Sequence, residues 1–589
     1  MYLDIINGPT DLKGLSIDQL PELANEIRDN LLKKISVCGG HLASNLGFVE
    51  ATIALHYVFD SPQDKFIFDV SHQCYTHKIL TGRKEAYTEP GKYNTVNGYT
   101  NPSESEHDFF RVGHSATSLS LASGLAKARD ICGKKEYIVA IIGDGALSGG
   151  EALEGLDFGG SEIDGNLIVL FNDNQMSIPE NRGGLYKGLE RLRETEGQAN
   201  DNIFKAFGYE YIFVKDGNNV KDVIEALEKA KKVEKPVVVH VCTVKGKGYA
   251  YAEAHKESTH WVRRFDLETG AELNPFKGER YDRIVRDFLL QKMEKDPAVV
   301  TLIAAVPDAL NFTPEHRARA GKQFIDVGIA EEHAVTMLAG LAKNGCKPVF
   351  STLSTFFQRV YDQVSQDLCI NNAPATMIIV NASVYAANDV THIGYFDIPM
   401  LSNIPNLVYL APTNKQEYLA MLDWSIDQNQ YPVAVRAPRN GVFESKEDVD
   451  KDYSDINKYK VVIKGERTAI LALGDFFQMG EELSSNIQEV FGYVPTLINP
   501  RYITGLDKEL LSKLENNHDT IITLEDGVLD GGFGQKIASF FGMSNVKVMN
   551  YGLKKAFLDR YSVDSVMEEN HLKPELIVED MKKLFGVSL

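Results

Sequence analysis

Residues 137–150, YIVAIIGDGALSGG, and residues 166–177, NLIVLFNDNQMS, decide how this chain is read. Each opens with a short apolar, β-branched run of the kind that forms a buried strand. Each ends in oxygen-bearing side chains: Asp144 between Gly143 and Gly145 in the first, Asn174 in the second. Parallel strands with helices on both faces bind ligands beyond their carboxyl ends, which is where both residues fall. A carboxylate and an amide oxygen suit Mg²⁺, a hard cation that takes oxygen ligands and keeps phosphate oxygens among them. The glycines allow close backbone approach to a diphosphate. Either motif alone is as readily a turn; the pair after two apolar strands reads as a metal-held diphosphate site.

A chain of 589 residues exceeds one core, and 43% hydrophobic with 24% charged residues is the composition of a soluble globular protein. No apolar run reaches the roughly 20 residues that span a bilayer, and MYLDIINGPTDLKG lacks the layout of a signal peptide, so a cytoplasmic location is expected. Six scattered cysteines without a CxxC pair argue against a zinc site or a disulfide framework. A formal net charge of −20 argues against nucleic-acid or anionic-membrane partners, and makes the arginines and histidines inside motifs informative.

The fold class expected is α/β, as three successive doubly wound units. The first covers residues 1–270 and closes with KPVVVHVCTVKGKGYAYAE; the second, residues 277–443, opens with the helical YDRIVRDFLLQKMEK; the third covers residues 459–589. The acidic, lysine-rich stretch 444–458 reads as the separator between the last two. With the metal motif in the first unit, the other half of the cofactor must be held elsewhere. Thiamine diphosphate needs a carboxylic acid to protonate its aminopyrimidine ring. DVGIAEEHAV supplies Glu331 at the start of a helix, where desolvation would raise its pKa; Glu332 beside it suits solvent.

These motifs, with GGHLASNLG from Gly39, DVSHQCYTHKILTGR from Asp69, VGHSATSLSLASG from Val112, STFFQRVYDQV from Ser354, THIGYFD from Thr391, INPRYITGLD from Ile498 and LEDGVLDGGFG from Leu524, occur in order nearly end to end. The chain thereby resembles the 1-deoxy-D-xylulose-5-phosphate synthases, a transketolase-like family. The resemblance implies a diphosphate-binding domain, a pyrimidine-binding domain and a transketolase C-terminal-like domain in a homodimer. It implies that pyruvate and glyceraldehyde 3-phosphate are joined with loss of carbon dioxide, a step toward isoprenoid precursors. Asp144 and Asn174 would bind Mg²⁺ through side chains and Met176 through its carbonyl. Gly143, Gly145, Ala146, Gly113, His114, Ser115, His72 and Lys247 would line the diphosphate and thiazolium, and Phe356 the aminopyrimidine. His41, His72, His260 and His392 would serve proton transfer with Glu331, since imidazoles titrate near operating pH. Ser44, Arg359, His392 and Arg439 would contact substrate, the arginines through their phosphate-matching fork.

Departures fall on the acceptor side. Asn381, in VNASVYAAND, stands where the family has arginine, Asn388 where it has aspartate, with Asp389 next to it, and Leu353 where tyrosine is usual; GYTNPSESEHD replaces a stretch that carries arginine. The segment from Asn181 to Phe204 is shorter than the family's insertion. The alternatives left open are the same cofactor chemistry with another acceptor aldehyde or a ketose donor, a relative without turnover, and a decarboxylase that passes its acyl unit to a lipoyl arm.

Overall fold

In the computed structural model, which describes residues 1–385, 389–445 and 448–586, the run Ile138–Gly143 is a strand buried along its length until Gly143. Its side chains alternate between two cores. Val139 and Ile141 join one apolar cluster, while Ile138, Ala140 and Ile142 join another on the opposite face. Ile168–Asp173 splits in the same way, Ile168 and Leu170 against Val169 and Phe171. A strand buried on both faces needs apolar residues at every position, which is why these runs are legible as parallel-sheet strands. The sheet has five parallel strands in the order Lys65–Phe68, Ile138–Gly143, Ile168–Asp173, Val237–Cys242, Glu210–Val214. It belongs to a compact unit of residues 1–277 with 328–330.

The other compact unit, residues 278–327 with 331–589, holds two further sheets. One has six parallel strands in the order Val408–Leu410, Val433–Arg436, Thr376–Val380, Lys347–Leu353, Val299–Ile303, Phe324–Asp326. The next has five, Lys460–Ile463, Thr496–Asn499, Arg467–Ala472, His518–Val528 and Lys547–Leu553, with Lys460–Ile463 an antiparallel edge. These two sheets share one core: Phe350, Met377 and Ala434 of the six-stranded sheet with Ala469, Leu471, Ile498 and Ile521 of the five-stranded one. Backbone bonds reinforce it, Ala411 N to Arg501 O at 2.7 Å and Ile503 N to Tyr409 O at 2.8 Å. The described residues of the charged stretch 444–458 make contacts of their own. Tyr453 within it is buried, its carbonyl accepts from the Tyr502 hydroxyl, and Asp450 pairs with Arg501. Among the described residues no helix is long and apolar enough to cross a membrane.

Candidate active site

Parallel pairing sets Gly143 opposite Asn172, and the Asp144 amide donates to Asn172 O at 3.0 Å, so both motif loops leave the same edge of the sheet. A Cβ on Gly145 would lie 2.7 Å from Ser177 Cβ; only glycine lets the two loops close. Ala146 is buried in the short helical turn Gly145–Ser148. Asp144 is 2% exposed and Oδ2 accepts from Asn181 Nδ2 at 2.8 Å. Burial first, then the neighbouring Asp173, push its pKa well above the usual carboxylate range. Lys245, also buried, donates to Ser177 O, and desolvation lowers its pKa to about 8 against the pull of Asp144. A carboxylate this poorly solvated is relieved by a divalent cation, so the donor set fits one. Asn174 and Met176 are half-buried beside it; Asn174 Oδ1 accepts from Met176 N at 3.1 Å across left-handed Gln175.

Behind this loop Asp173, His240 and Cys242 form a cluster of metal-ligand type. Its bonds are already used: Asp173 Oδ2 takes Arg193 Nη1 at 2.6 Å and His240 Nε2 at 3.0 Å, and His240 Nδ1 meets the Tyr211 hydroxyl at 2.7 Å. It is a brace for the Asn174 loop.

Three predicted histidines come together in the first unit. Ring centroids lie 5.0 Å apart for His41 and His72, 5.6 Å for His41 and His260, and 5.2 Å for His72 and His260, with Tyr99 5.7 Å from His41. A two-residue ribbon, Gly40–His41 against Trp261–Val262, pairs His41 with Trp261, the residue next to His260. Asn45, 1% exposed, ties the other join: Nδ2 donates to His41 O and His72 O, each at 2.8 Å, and Oδ1 accepts from Tyr75 N at 3.0 Å. His72 follows a strained turn in which Val70 and Ser71 have φ of 56° and 66°. Left-handed backbone at a β-branched residue costs of order 1–3 kcal/mol and persists only where neighbours enforce it. Here Asp69 accepts from Ala116 N and Ser118 N, and Ser71 Oγ donates to Val112 O while accepting from Thr100 N. The same bonds set the loop of Gly113, His114 and Ser115 before the helix Ser118–Ile131, whose N-terminus favours anions. Burial, then Lys245, His72 and His41, hold the His260 pKa well below the ordinary imidazole value, so this ring stays neutral. Ser44 Oγ is buried without a hydrogen-bond partner.

In the second unit Glu331 opens the helix Glu331–Lys343 and is 3% exposed. Its Oε2 has no hydrogen-bond partner, and the nearest cation, Arg359 Nη1, is 3.8 Å away. Burial raises its pKa to about 7 against that arginine. Phe356 and His392 meet edge to face at 5.8 Å. Thr391 Oγ1 donates to Asp389 and lies 2.8 Å from His392 Nδ1. Hydrogen bonds from Thr391 and the nearby His392 keep the Asp389 pKa below its ordinary value despite burial. Arg439 is exposed, Leu353 is half-buried, and Asn381 has a left-handed φ of 55°. Asn388 lies outside the described residues.

Sequence reading missed Asn45, Asp69, Tyr99, Asn181 and Lys245. The first three sit inside quoted motifs, but nothing in composition marks an asparagine as a brace. Lys247 is half-buried; Lys245, two residues earlier in VKGKGY, is the ammonium that faces Asp144.

The family model described as 1-deoxy-D-xylulose-5-phosphate synthase matches residues 3–200 and 195–243. The transketolase pyrimidine-binding domain matches residues 280–443 and the transketolase C-terminal domain residues 457–577. The 1-deoxy-D-xylulose-5-phosphate synthase of Caldanaerobacter subterraneus is 39% identical over 98% of this chain and 98% of its own, and that of Alkaliphilus oremlandii 39% over 99% of each. Among solved structures, a transketolase from Leishmania mexicana aligns over 97% of both chains at 15% identity with a TM-score of 0.43, too low to carry an argument. Near-complete coverage at 39% identity makes this chain a member of the 1-deoxy-D-xylulose-5-phosphate synthase family.

Proposed function

We propose that this chain joins pyruvate to glyceraldehyde 3-phosphate, releasing carbon dioxide and forming 1-deoxy-D-xylulose 5-phosphate, with thiamine diphosphate and Mg²⁺, as a cytoplasmic homodimer. When bound, the cofactor supplies a carbon nucleophile that carries the two-carbon unit of pyruvate. The observation that carries this reading is Glu331: a buried carboxyl poised near pH 7 with an unpartnered oxygen is what a ring nitrogen needs to share a proton. Asp144, Asn174 and the Met176 carbonyl take Mg²⁺. Lys245 and the loop Gly113–Ser115 take the diphosphate. Phe356 flanks the aminopyrimidine. His41, His72 and His260 exclude water and hold protons near the reacting carbon, His260 as a neutral donor or acceptor. Arg359, Arg439, Ser44 and His392 take the substrates. The division of labour follows domains at residues 1–270, 277–443 and 459–589. Acceptor chemistry other than glyceraldehyde 3-phosphate is not favoured by relatives matched across the whole chain.

The test supplies purified protein with thiamine diphosphate, Mg²⁺ and pyruvate, and follows carbon dioxide and phosphorylated ketose with and without glyceraldehyde 3-phosphate. Acceptor-dependent formation of 1-deoxy-D-xylulose 5-phosphate is expected. Carbon dioxide without that product would overturn the acceptor and leave the cofactor half standing.

A further inference from the structure

The chain doubles back after the second metal motif. Met176 and Glu180 form an antiparallel bridge, and Ser177 Oγ donates to Pro179 O at 3.1 Å inside it, so Asn181 returns to the first motif. There its Nδ2 donates to Asp144 Oδ2 at 2.8 Å. An ionised carboxylate only accepts, so the amide presents its N–H face. Gly183, whose φ is 118°, then opens the helix Gly184–Glu194. Buried Leu189 and Leu192 of this helix pack in the same cluster as Ile142 and Phe171, the strand residues that lead into the two motifs. Near one end of the helix the Tyr186 hydroxyl donates to Asp144 O at 3.2 Å and to Gly145 O at 3.3 Å. Near the other, Arg193 Nη1 donates at 2.6 Å to Oδ2 of Asp173, the residue before Asn174. Side chains of residues 181–193 thus hold both motif loops, and Asn181 meets the Asp144 carboxylate itself.

We propose that Asn181 is a positioning residue for the divalent cation: by holding Oδ2 it fixes the plane of the Asp144 carboxylate, and so how that carboxylate is offered to the ion. This rests on the reading of Asp144 as a metal ligand. The Gly145 and Gln175 amides also act on this carboxylate, but both belong to the motif loops; Asn181 is the partner from beyond them. Ligating carboxylates are themselves hydrogen-bonded, and loss of such a partner typically costs about 10–100-fold in metal affinity. The segment from Asn181 to Glu194 therefore belongs to the metal site. Asn181 is half-buried, so it can be altered with less risk to folding than the buried Asp144.

The experiment titrates Mg²⁺ into the full chain at a fixed concentration of thiamine diphosphate and reads Kd by calorimetry, so the result does not depend on turnover. Asn181→Leu, which keeps the shape and removes the N–H groups, is expected to weaken Mg²⁺ binding about 10–100-fold. Its melting temperature without Mg²⁺ should match the parent's, and saturating Mg²⁺ should restore kcat to within about threefold. Mg²⁺ bound as tightly as by the parent overturns the proposal. Tighter binding, which would mean that the amide competes with the ion, overturns it too, as does a loss of kcat that saturating Mg²⁺ leaves in place. Asp144→Ala separates the proposal from the reading beneath it. If that variant loses Mg²⁺ and Asn181→Leu does not weaken it, Asn181 is overturned and Asp144 stands; if it binds Mg²⁺ as the parent does, the role of Asp144 fails and the proposal falls with it. Should Asn181→Leu melt early, Asn181→Ala takes its place with the same outcomes.

Discussion

Around the histidine cluster and Asp144, backbone strain is accepted at residues that resist it: Val70, Ser71, Ala116 and Gln175 all have positive φ. Around His392 the positive-φ residues are Asn381, a type that takes the left-handed conformation at least cost after glycine, and Ser383, whose φ is 138° and whose amide donates to Gly394 O. In the first region side chains such as Asp69 and Asn45 each spend several hydrogen bonds on holding loops. In the second, Ser354 Oγ and the Ser383 amide donate to Gly394 O, and Asp475 accepts from Arg439 N and Asn440 N. The contrast lies in which residues carry the strain: a β-branched residue, Val70, in the first region, and the short polar Asn381 and Ser383 in the second.

The largest test of the contrast is Glu331→Gln, which keeps shape and removes the shared proton. Formation of 1-deoxy-D-xylulose 5-phosphate should fall about 10²–10⁴-fold, the range of general acid–base catalysis. A loss below tenfold, measured by steady-state turnover, would place the cofactor's acid elsewhere.

The same residue predicts a pH effect on stability. Its folded pKa of about 7 lies above its ordinary value of 4.5, so the folded state holds the proton more tightly. That contribution is present below pH 4.5, declines as pH rises through 7, and is absent above. Across this window Glu331→Gln should gain on the parent by roughly 3 kcal/mol at most, since each pKa unit is about 1.4 kcal/mol. Thermal melts of the cofactor-free protein at pH 5 and pH 8 check this; a gain at pH 5 equal to that at pH 8 would refute burial as the cause.

Asn45→Ala probes the bracing of the first region. Removing the amide frees the carbonyls of His41 and His72 from their common partner, and kcat is expected to fall about tenfold, the scale of one lost hydrogen bond to a buried group. The KM for glyceraldehyde 3-phosphate should hold. A variant with unchanged kcat would mean that the ribbon Gly40–His41 with Trp261–Val262 suffices.

What the sequence revealed follows the same division. IVAIIG, IVLFND and VVVHVC were legible because strands buried on both faces must be apolar throughout. The edge strand Lys460–Ile463, half-buried along its length, carried no such signal, and the ribbon joining His41 to Trp261 pairs segments too distant in sequence for any local pattern. Glu331 and Asp144 stand out in sequence by their motifs, and the structure buries both. Asn45 and Lys245 do not stand out, since their roles come from burial that only the fold decides. The run 444–458 reads as a separator by charge; that Tyr453 within it is buried and Asp450 pairs with Arg501 has no local sequence signal.

The smallest effect expected is the most telling about the acceptor region. If arginine were merely missing at 381, Asn381→Arg would add a phosphate contact and lower KM for glyceraldehyde 3-phosphate. The backbone argues otherwise. Residue 381 has φ of 55°, and its carbonyl oxygen sits where a Cβ on Gly394 would be, 1.8 Å away, so this segment and THIGYFD are fitted to each other. Arginine there carries the left-handed penalty of about 1–2 kcal/mol that asparagine relieves through its short polar side chain. The variant should therefore melt lower by about that amount, with KM changed less than about threefold. A clear fall in KM without loss of stability would show that the segment kept the family's geometry and lost only the charge.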